Sequence, residues 1–277
     1  MPESPEVQAL AENLSDRLAG RTLRAVDVVE FRTVKTRARQ PESLTGVAVE
    51  GADRIGKHVD LRFGAQHLVV SLGRHGWMRW AGADAAPPAG DDPPPPTLAV
   101  FEFDDGTTLE ATDAGDWVSL GLSVVDDPTE VAAIAKLGPD PADAEFTRAD
   151  FDAAVVGRRK QIKAILQEQE SLAGIGNAYS DEILHAAKVS PIAHAAALDA
   201  AALDRVYAET IGVVRGAIAA RRGIPIHELK AAKVAAMRVH GRAGEACPVC
   251  GDTIREFRFG STTAEYCPTC QTAGAEL

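Results

Sequence analysis

Long apolar stretches are missing from this chain of 277 residues. No run reaches the roughly eighteen apolar residues that a membrane-spanning helix needs. The N-terminus also lacks the basic segment followed by an apolar segment that marks a secretory signal peptide. We therefore expect a soluble, cytoplasmic protein without a membrane partner. The apolar content of 45% is enough for packed cores, and the length allows two domains of ordinary size.

Cysteine is scarce and confined to the C-terminal end of the chain. The four cysteines form two Cys-x-x-Cys pairs separated by sixteen residues, namely Cys247, Cys250, Cys267 and Cys270. This spacing is typical of two knuckles around one tetrahedral Zn²⁺ and argues against a disulfide framework. Because four thiolates leave no open coordination position, we predict one structural zinc ion. A reactive dithiol is the alternative.

A net positive charge is missing as well. The formal net charge of −11 argues against nucleic-acid binding, because proteins that bind nucleic acids usually present a basic surface. The acidity is concentrated, however, since residues 81–150 contain 16 Asp and Glu but 2 Lys and Arg. Residues 1–80 and 151–240 each carry a small positive excess. The sequence is therefore compatible with a modest basic face outside the acidic segment.

The first half of the chain predicts one helix and a series of strands. Apolar residues recur at helical spacing from Ser4 to about Ala19, and Gly20 ends that helix. Alternating or β-branched residues predict strands over the ranges 22–32, 44–50, 53–63, 67–72, 98–104, 107–112 and 117–125. The acidic, proline-rich range 82–96 predicts a solvated connection. Strands at this spacing favour an antiparallel sandwich or barrel.

The pattern becomes helical after Asp126. Helices are predicted over 128–135, 148–156, 160–170, 198–220 and 226–236. The segments between the cysteine pairs predict a β-hairpin. We therefore expect an α+β fold, with an N-terminal helix and β-sandwich, then a helical domain and a zinc-ribbon hairpin. The expected domains are a β-sandwich domain (1–126), a linker and the start of the helical region (127–145), a helical domain (146–240) and a zinc finger (241–277).

The N-terminus carries a candidate nucleophile. A small residue follows Met1, so Met1 can be removed, and Pro2 is then left with a free secondary amine. An α-amino group has a pKa of about 7.7–8.0, against about 10.4 for lysine, so more of it is unprotonated at neutral pH. Such an amine can form a Schiff base with a carbonyl-like carbon. Glu3 is the neighbouring candidate for proton transfer.

A glycine-rich turn between two predicted helices is a candidate anion site. Gly174 and Gly176 allow a close backbone approach, and Asn177 can cap the following helix. The free N–H groups of a helix N-terminus bind anions, and Lys163 lies one helix upstream. A tight interhelical turn without a ligand is the alternative.

Three motifs together resemble a known family. They are the N-terminal Pro2-Glu3-Ser4-Pro5-Glu6-Val7, the turn Gly174-Ile175-Gly176-Asn177, and the cysteine ribbon that ends in Tyr266-Cys267-Pro268-Thr269-Cys270-Gln271. In this order they are similar to the motifs of the Fpg/Nei (formamidopyrimidine/endonuclease VIII-like) family of DNA glycosylases. The resemblance spans nearly the whole chain. It implies a β-sandwich domain and a helix–two-turn–helix domain that flank a DNA cleft.

The resemblance also implies a catalytic apparatus. Pro2 corresponds to the nucleophile that attacks C1′ of the deoxyribose, displaces the damaged base and forms a Schiff base before β- and δ-elimination. Glu3 corresponds to the group that transfers protons to and from the sugar, and Glu6 to a second active-site carboxylate. Lys57 matches the lysine of the β-domain that binds a phosphate. The implied activity is that of a bifunctional glycosylase and abasic-site lyase of base excision repair.

The resemblance implies that the partner is DNA, as a damaged duplex or a single strand. It also implies a monomeric protein, which is associated with the nucleoid if the source is prokaryotic. Gly176 and Asn177 match the phosphate contact of the helix–two-turn–helix motif. Lys163 and Arg258 are further candidates for binding DNA. Such phosphate contacts position the DNA and carry no sequence information.

Two departures from the family pattern bear on the substrate. Thr262 stands where the family's zinc ribbon has an arginine, and Arg258 or Arg255 is a possible substitute. The residues that fill the gap left by the flipped base are also different. Members that excise oxidised purines place a Met and an Arg-x-Phe-like pair there, whereas this chain offers Arg74, His75 and Trp117, which we call the wedge. Asp116 replaces the family's arginine and cannot donate hydrogen bonds to an orphaned cytosine.

We therefore expect a substrate other than 8-oxoguanine opposite cytosine, such as an oxidised pyrimidine, an abasic site or a bulky lesion. A non-catalytic DNA-damage-binding protein of the same fold is the alternative. A zinc protein associated with RNA is a third, but it leaves the N-terminal motif unexplained.

Overall fold

The computed structural model describes residues 1–82, 85, 93–259 and 262–277. The chain divides into two compact units. Unit 1 consists of Met1–Ala135 and Arg221–Leu229, and unit 2 consists of Lys136–Ala220 and Lys230–Leu277. Most of the acidic, proline-rich connection and residues 260–261 of the zinc ribbon lie outside the described residues.

Unit 1 contains helix α1 (Ser4–Leu18) and two four-stranded antiparallel sheets. The strands are β1 (Leu23–Val28), β2 (Gly51–Ile55), β3 (His58–Phe63), β4 (Gln66–Ser71), β5 (Gly76–Ala81), β6 (Thr97–Phe103), β7 (Thr108–Asp113) and β8 (Gly121–Val125). One sheet has the order β1-β6-β7-β5, and the other has the order β2-β3-β4-β8. Helix α2 (Ala132–Ala135) follows. The predicted sandwich is confirmed.

Helix α1 is held by its apolar face. Leu10, Leu14 and Leu18 are fully buried and belong to the core that both sheets share. Burying one leucine side chain stabilises a fold by about 1.5–3 kcal/mol relative to leaving it exposed. Pro5 lies in the first turn, where its missing N–H costs nothing. The N-terminus is therefore fixed by the core of unit 1.

Unit 2 is helical and ends in the zinc ribbon. Its elements are α3 (Arg148–Val155), α4 (Ile162–Leu166), α5 (Asn177–Ala186), α6 (Ala200–Arg221), α7 (Leu229–Ala236), the hairpin of β9 (Arg255–Phe259) and β10 (Thr262–Tyr266), and α8 (Pro268–Gln271). The first residue of α7 and the last residue of α6 belong to unit 1. The helical core of unit 2 is centred on Phe151, Ile165 and Tyr179. The predicted α+β fold with a helical region and a C-terminal hairpin is confirmed.

Several predicted elements differ in detail. The predicted strand 44–50 is wrong, because Pro41–Leu44 forms a 3₁₀ helix and Gly46 has a positive φ of 87° that breaks an extended chain. The predicted strand 53–63 is two strands, since Gly56 turns the chain with φ 57°. Strand β5 was not predicted. Its inward positions Trp77 and Met78 are consecutive buried residues, so the strand lacks alternation.

In the described part of the chain, no helix combines the length and the apolar character that are required to span a bilayer.

Candidate active site and nucleic-acid interface

The N-terminal residues of unit 1 form a buried cluster at the start of α1. Pro2, Glu3 and Glu6 are all buried, whereas Met1 is exposed. Glu3 precedes the helix and forms a reciprocal capping box with Glu6. The backbone N–H of Glu3 donates to Oε2 of Glu6 at 3.2 Å. Two buried carboxylates, those of the first and fourth residues after Pro2, thus lie at the positive end of the helix dipole of α1.

A tight turn places Lys57 in the same unit. Lys57 follows Gly56 between β2 and β3 and is half-buried. Arg54 binds this turn to α1, because its Nη1 donates to the Gly56 carbonyl at 3.0 Å and to Ser4 Oγ at 3.2 Å. Its Nε donates to Gln8 Oε1 at 3.1 Å. The structure therefore brings the Lys57 turn to the helix that carries Pro2 and Glu3.

His58 follows Lys57 and is buried. Burial lowers the pKa of His58, and the charge of neighbouring Lys57 lowers it further, although a hydrogen bond with the Ile55 carbonyl opposes both. The lowered pKa favours the neutral imidazole at pH 7, so the positive charge at this turn comes from Lys57 and Arg54. Sequence reasoning missed Arg54 and His58, although both flank Lys57 directly.

Arg221 is a further component that the sequence did not indicate. Its guanidinium Nε lies 3.7 Å from Glu6 Oε1, and both side chains are buried. It is the last residue of α6, more than two hundred positions from Glu6. The sequence shows the pair Arg221-Arg222 at the end of an alanine-rich helix. Cations are ordinary at a helix C-terminus, so the pair does not indicate a site.

The wedge residues lie on two loops of unit 1 that are bound to each other. Arg74 and His75 donate their backbone N–H groups to Ser119 Oγ at 3.1 and 3.2 Å. Gly73 has φ 57°, and a Cβ on it would lie 2.4 Å from the Ser119 carbonyl oxygen, so a glycine is required there. Trp117 is 63% exposed. The structure therefore brings the three wedge residues to one rigid, exposed pair of loops.

Asp113 is the centre of that loop pair. Its carboxylate accepts hydrogen bonds from the backbone N–H groups of Gly115, Ser119 and Leu120 and from the Ser119 hydroxyl, at 2.8–2.9 Å. Burial alone would raise the pKa of Asp113, but these four hydrogen bonds hold it below its usual value. A carboxylate with four donors is a fixed charge, so the loops need no ligand to be ordered.

In unit 2, the glycine-rich turn precedes α5. Gly174 has φ 86°, and Gly176 is the residue before the helix. Gln169 braces the turn, because its Oε1 accepts from the Gly174 N–H at 2.9 Å and its Nε2 donates to the Ile175 carbonyl at 2.7 Å. The side chain of Asn177 lies between Gln167 Nε2, at 3.0 Å from its Oδ1, and Thr263 Oγ1, at 3.5 Å from its Nδ2. The helix N-terminus is thus preorganised.

Lys163 is directed into unit 2. Its ammonium donates to Asp181 Oδ1 at 2.5 Å, Ser180 Oγ at 2.9 Å and the Asn177 carbonyl at 3.1 Å, and its side chain is 5% exposed. The structure does not bring Lys163 to the surface with Asn177. A direct phosphate contact, as the sequence predicted, would require this network to open. In this arrangement Lys163 fixes the first turn of α5.

Asp181, which accepts from Lys163, also contacts a second cationic side chain, that of His240. The ring nitrogen Nδ1 of His240 lies 2.8 Å from Asp181 Oδ2 and 3.1 Å from Glu265 Oε2. Burial alone would lower the pKa of His240, but the hydrogen bonds with Asp181 and Glu265 raise it to about 9. Asp181, His240 and Glu265 are close enough to share a cation, and Lys163 and protonated His240 already balance the two carboxylates. We call these four residues the ionic network.

Glu182, adjacent to Asp181, fixes the chain that leads to the zinc finger. Its carboxylate accepts the backbone N–H groups of Arg238, Val239 and His240 at 2.9–3.0 Å. Sequence reasoning missed Asp181 and Glu182, because acidic residues on a helix are ordinarily solvated. It missed His240 and Glu265 because they meet Asp181 only in the folded chain.

The four cysteines form a cluster with the geometry of a zinc site. Their sulfur atoms lie within 4.8 Å of one another, with Cys247–Cys270 at 3.9 Å and Cys250–Cys267 at 3.4 Å. Zinc–sulfur bonds of about 2.3 Å in a tetrahedron place the sulfurs about 3.8 Å apart. The four thiolates therefore fit one structural Zn²⁺. The neighbouring His185 of α5 has its Nε2 3.3 Å from Cys247 Sγ.

The hairpin that the zinc site supports carries Arg258. Its side chain is 79% exposed, and its Nε donates to Glu256 Oε1 at 2.9 Å. It is therefore accessible to a phosphate but partly neutralised by its neighbour on β9. Residues 260–261, between β9 and β10, lie outside the described residues.

The first prediction concerns His240. Its pKa in the folded state, about 9, exceeds the ordinary value of 6.5. Its contribution to stability is therefore complete below about pH 6.5 and is lost as the pH rises through about 9. In thermal unfolding scans from pH 6 to 10, the gap in melting temperature between wild type and His240→Gln should shrink at alkaline pH. The exposed His227→Gln is the control, and a gap that is constant with pH contradicts the assignment.

The second prediction concerns zinc retention. An outer-sphere hydrogen bond to a metal ligand typically changes metal affinity about 10–100-fold. His185→Phe keeps a large ring but removes the donor to Cys247. It should therefore release zinc to a chromogenic chelator faster than wild type by roughly that factor. The exposed His194→Phe serves as the matched control. Equal release from both variants would show that His185 does not support the site.

Three protein-family profiles match consecutive parts of the chain. The formamidopyrimidine-DNA glycosylase N-terminal domain matches residues 1–116, and the formamidopyrimidine-DNA glycosylase H2TH domain matches residues 137–227. The zinc finger found in FPG and IleRS matches residues 244–273.

Known relatives match nearly all or about half of the chain. The formamidopyrimidine-DNA glycosylase of Symbiobacterium thermophilum is 31% identical over 98% of this chain and 89% of its own. An uncharacterized formamidopyrimidine-DNA glycosylase-like protein of Mycobacterium tuberculosis is 44% identical over 51% of this chain and 88% of its own. The crystal structure of Lactococcus lactis Fpg, non-covalently bound to DNA with an AP site, matches with a TM-score of 0.82 and 25% identity, covering 97% of this chain and 99% of that chain. The chain therefore belongs to the Fpg/Nei family of DNA glycosylases of base excision repair.

Proposed function

We propose that the protein is a bifunctional DNA glycosylase and abasic-site lyase. The observation that carries the proposal is the placement of Pro2 at the start of α1, beside the buried carboxylates of Glu3 and Glu6. The binding of an AP-site DNA by the Lactococcus lactis relative supports the lyase half.

The chemistry requires a free amine at Pro2, so Met1 must be removed. The Pro2 nitrogen attacks C1′, and the glycosidic bond breaks as the damaged base leaves with the bonding electrons and a proton. Glu3 transfers a proton to the ring oxygen, the sugar opens, and the amine and C1′ form an iminium ion. This cation accepts electrons when the proton on C2′ is removed. The bond from C3′ to its phosphate oxygen then breaks, and elimination at C5′ follows.

DNA is bound by dispersed phosphate contacts in this proposal. Lys57 in unit 1 and the N–H groups at Gly176 and Asn177 in unit 2 are the contacts that the geometry favours, with Arg258 as a further contact. Lys163 acts indirectly by fixing α5. Because few phosphates are neutralised, non-specific affinity is weak. The protein acts as a monomer on damaged duplex or single-stranded DNA.

The wedge favours a substrate other than 8-oxoguanine opposite cytosine. Trp117 offers an exposed ring that can stack on any base, and Arg74 and His75 lie on the loop bound to it. Asp116 is exposed and accepts hydrogen bonds without donating them, so it does not read cytosine as an arginine would. Oxidised pyrimidines, abasic sites or bulky lesions are the substrates that such a surface suits.

A non-catalytic damage-binding protein of the same fold is the second candidate. Thr262, which stands at the position of the family's ribbon arginine, favours it. The intact cluster of Pro2, Glu3, Glu6 and Lys57 favours catalysis instead.

The third prediction separates these two functions. Borohydride should trap wild-type protein, with Met1 removed as verified by intact mass, as a covalent adduct on abasic-site DNA. Pro2→Gly replaces the secondary amine with a primary one and should lose most of the adduct, while DNA affinity changes little because the proline makes no phosphate contact in this proposal. Lack of any adduct with wild type would remove the lyase and leave the damage-binding function.

The fourth prediction concerns the lesion. Loss of a base–aromatic stack costs about 1–3 kcal/mol, so Trp117→Ala should slow single-turnover excision of an oxidised pyrimidine by roughly 5- to 150-fold. Phe31 is 74% exposed in the same unit but outside the wedge loops, so Phe31→Ala is the matched control. Wild type should also excise an oxidised pyrimidine faster than 8-oxoguanine opposite cytosine. Comparable rates on both lesions would refute the preference.

A further inference from the structure

The buried pair of Arg221 and Glu6 connects the end of α6 to the N-terminal cluster. Arg221 Nε lies 3.7 Å from Glu6 Oε1, and the two side chains are 3% and 2% exposed. The other carboxylate oxygen, Oε2, accepts the backbone N–H of Glu3 at 3.2 Å. One carboxylate thus lies between a guanidinium and the residue that follows Pro2.

The segment that carries Arg221 is fixed to α1 along its length. Asn13 Nδ2 donates to the Ile224 carbonyl at 3.0 Å, about two helical turns along α1 from Glu6. Ile226 and Leu229 are buried in the apolar core of unit 1. Because the backbone on the C-terminal side of Arg221 is anchored in this way, the guanidinium has a defined position relative to Glu6.

We propose that Arg221 is a positioning residue for the Pro2 reaction and that it acts through Glu6. Glu6 and Glu3 are two carboxylates in a buried site, and a buried carboxylate keeps a fixed orientation when a cation and hydrogen-bond donors hold it. Arg221 supplies that cation on one side of Glu6, and the Glu3 N–H lies on the other. The guanidinium therefore fixes the peptide that joins Pro2 to Glu3, and with it the direction of the attacking nitrogen.

This role rests on the proposed function, because it concerns the geometry of the nucleophile. In this proposal Arg221 acts on the reaction through the carboxylate of Glu6. Its effect should appear in the rate of the covalent step and not in DNA affinity. A small displacement of a reacting group can slow a reaction by about a hundredfold. A slight shift of the Pro2 nitrogen is therefore enough for a large loss in the rate of the covalent step.

The test is a double-mutant cycle on the rate of borohydride trapping with abasic-site DNA under single-turnover conditions. Arg221→Met should lower that rate by roughly ten- to a hundredfold, with the Kd for DNA unchanged within about twofold. Arg221→Lys keeps the charge without the planar fork and should recover a part of the rate. Arg222→Met is the matched control, since Arg222 is 68% exposed and pairs with Glu12, and it should behave as wild type.

The second arm of the cycle tests whether Arg221 acts through Glu6. In a Glu6→Gln background, Arg221→Met should slow trapping by less than about twofold, because the interaction that it removes is already lost. The double variant removes both buried charges and so guards against a single variant that fails to fold. An Arg221→Met rate equal to wild type, or an equal loss in both backgrounds, would overturn the proposal.

A second measurement separates this proposal from the lyase itself. Amide hydrogen exchange at Glu3 reports the N–H that Glu6 accepts and does not need catalysis. Arg221→Met should accelerate that exchange, and Arg222→Met should not. If wild type forms no adduct, the lyase fails while faster Glu3 exchange still supports the Arg221–Glu6 coupling. Unchanged exchange would reject the coupling itself.

Discussion

Burial of the N-terminus of α1 is the constraint on which unit 1 depends. A helix start exposes backbone N–H groups that have no intrahelical acceptor, and such groups are costly to bury unless they are satisfied. Glu3 and Glu6 satisfy them reciprocally, while Leu10 and Leu14 hold the helix against the sheets. The placement of Pro2 is therefore a consequence of ordinary packing. A chain end, which is usually the most mobile part of a protein, becomes one of the most defined.

In unit 2, helix α5 likewise depends on buried polar groups that are satisfied internally. The helix begins at Asn177, contacts the ionic network through Asp181 in its middle and ends near Cys247 through His185. The carboxylates of Asp181, Glu182 and Glu265 are satisfied by internal cations and N–H groups. These charges count in the net −11 but are directed inward. Part of the formal negative charge is therefore internal to unit 2, separate from the acidic residues that the sequence concentrates in 81–150.

Sequence patterns predicted the features that depend on residues close together in the chain. The spacing of leucines gave α1, the cysteine spacing gave the zinc cluster, and the motifs gave the family. Strand β5 was missed because its buried residues are consecutive and do not alternate, whereas the partners of Lys163 were missed because they lie on another helix. Lys163 looked like a free cation because Asp181 follows it by eighteen positions on another helix. Arg221 is the extreme case, since no periodicity indicates that a residue at the end of α6 joins the N-terminal cluster.

The composition of unit 1 also has a consequence for biosynthesis. Ile226 and Leu229 complete a core that otherwise comes from the first 135 residues, so the sandwich is a discontinuous unit. Chains emerge from the ribosome N-terminus first, and domains fold when their residues are available. The first residues to be synthesised must therefore wait for a segment near the end before their surroundings are complete.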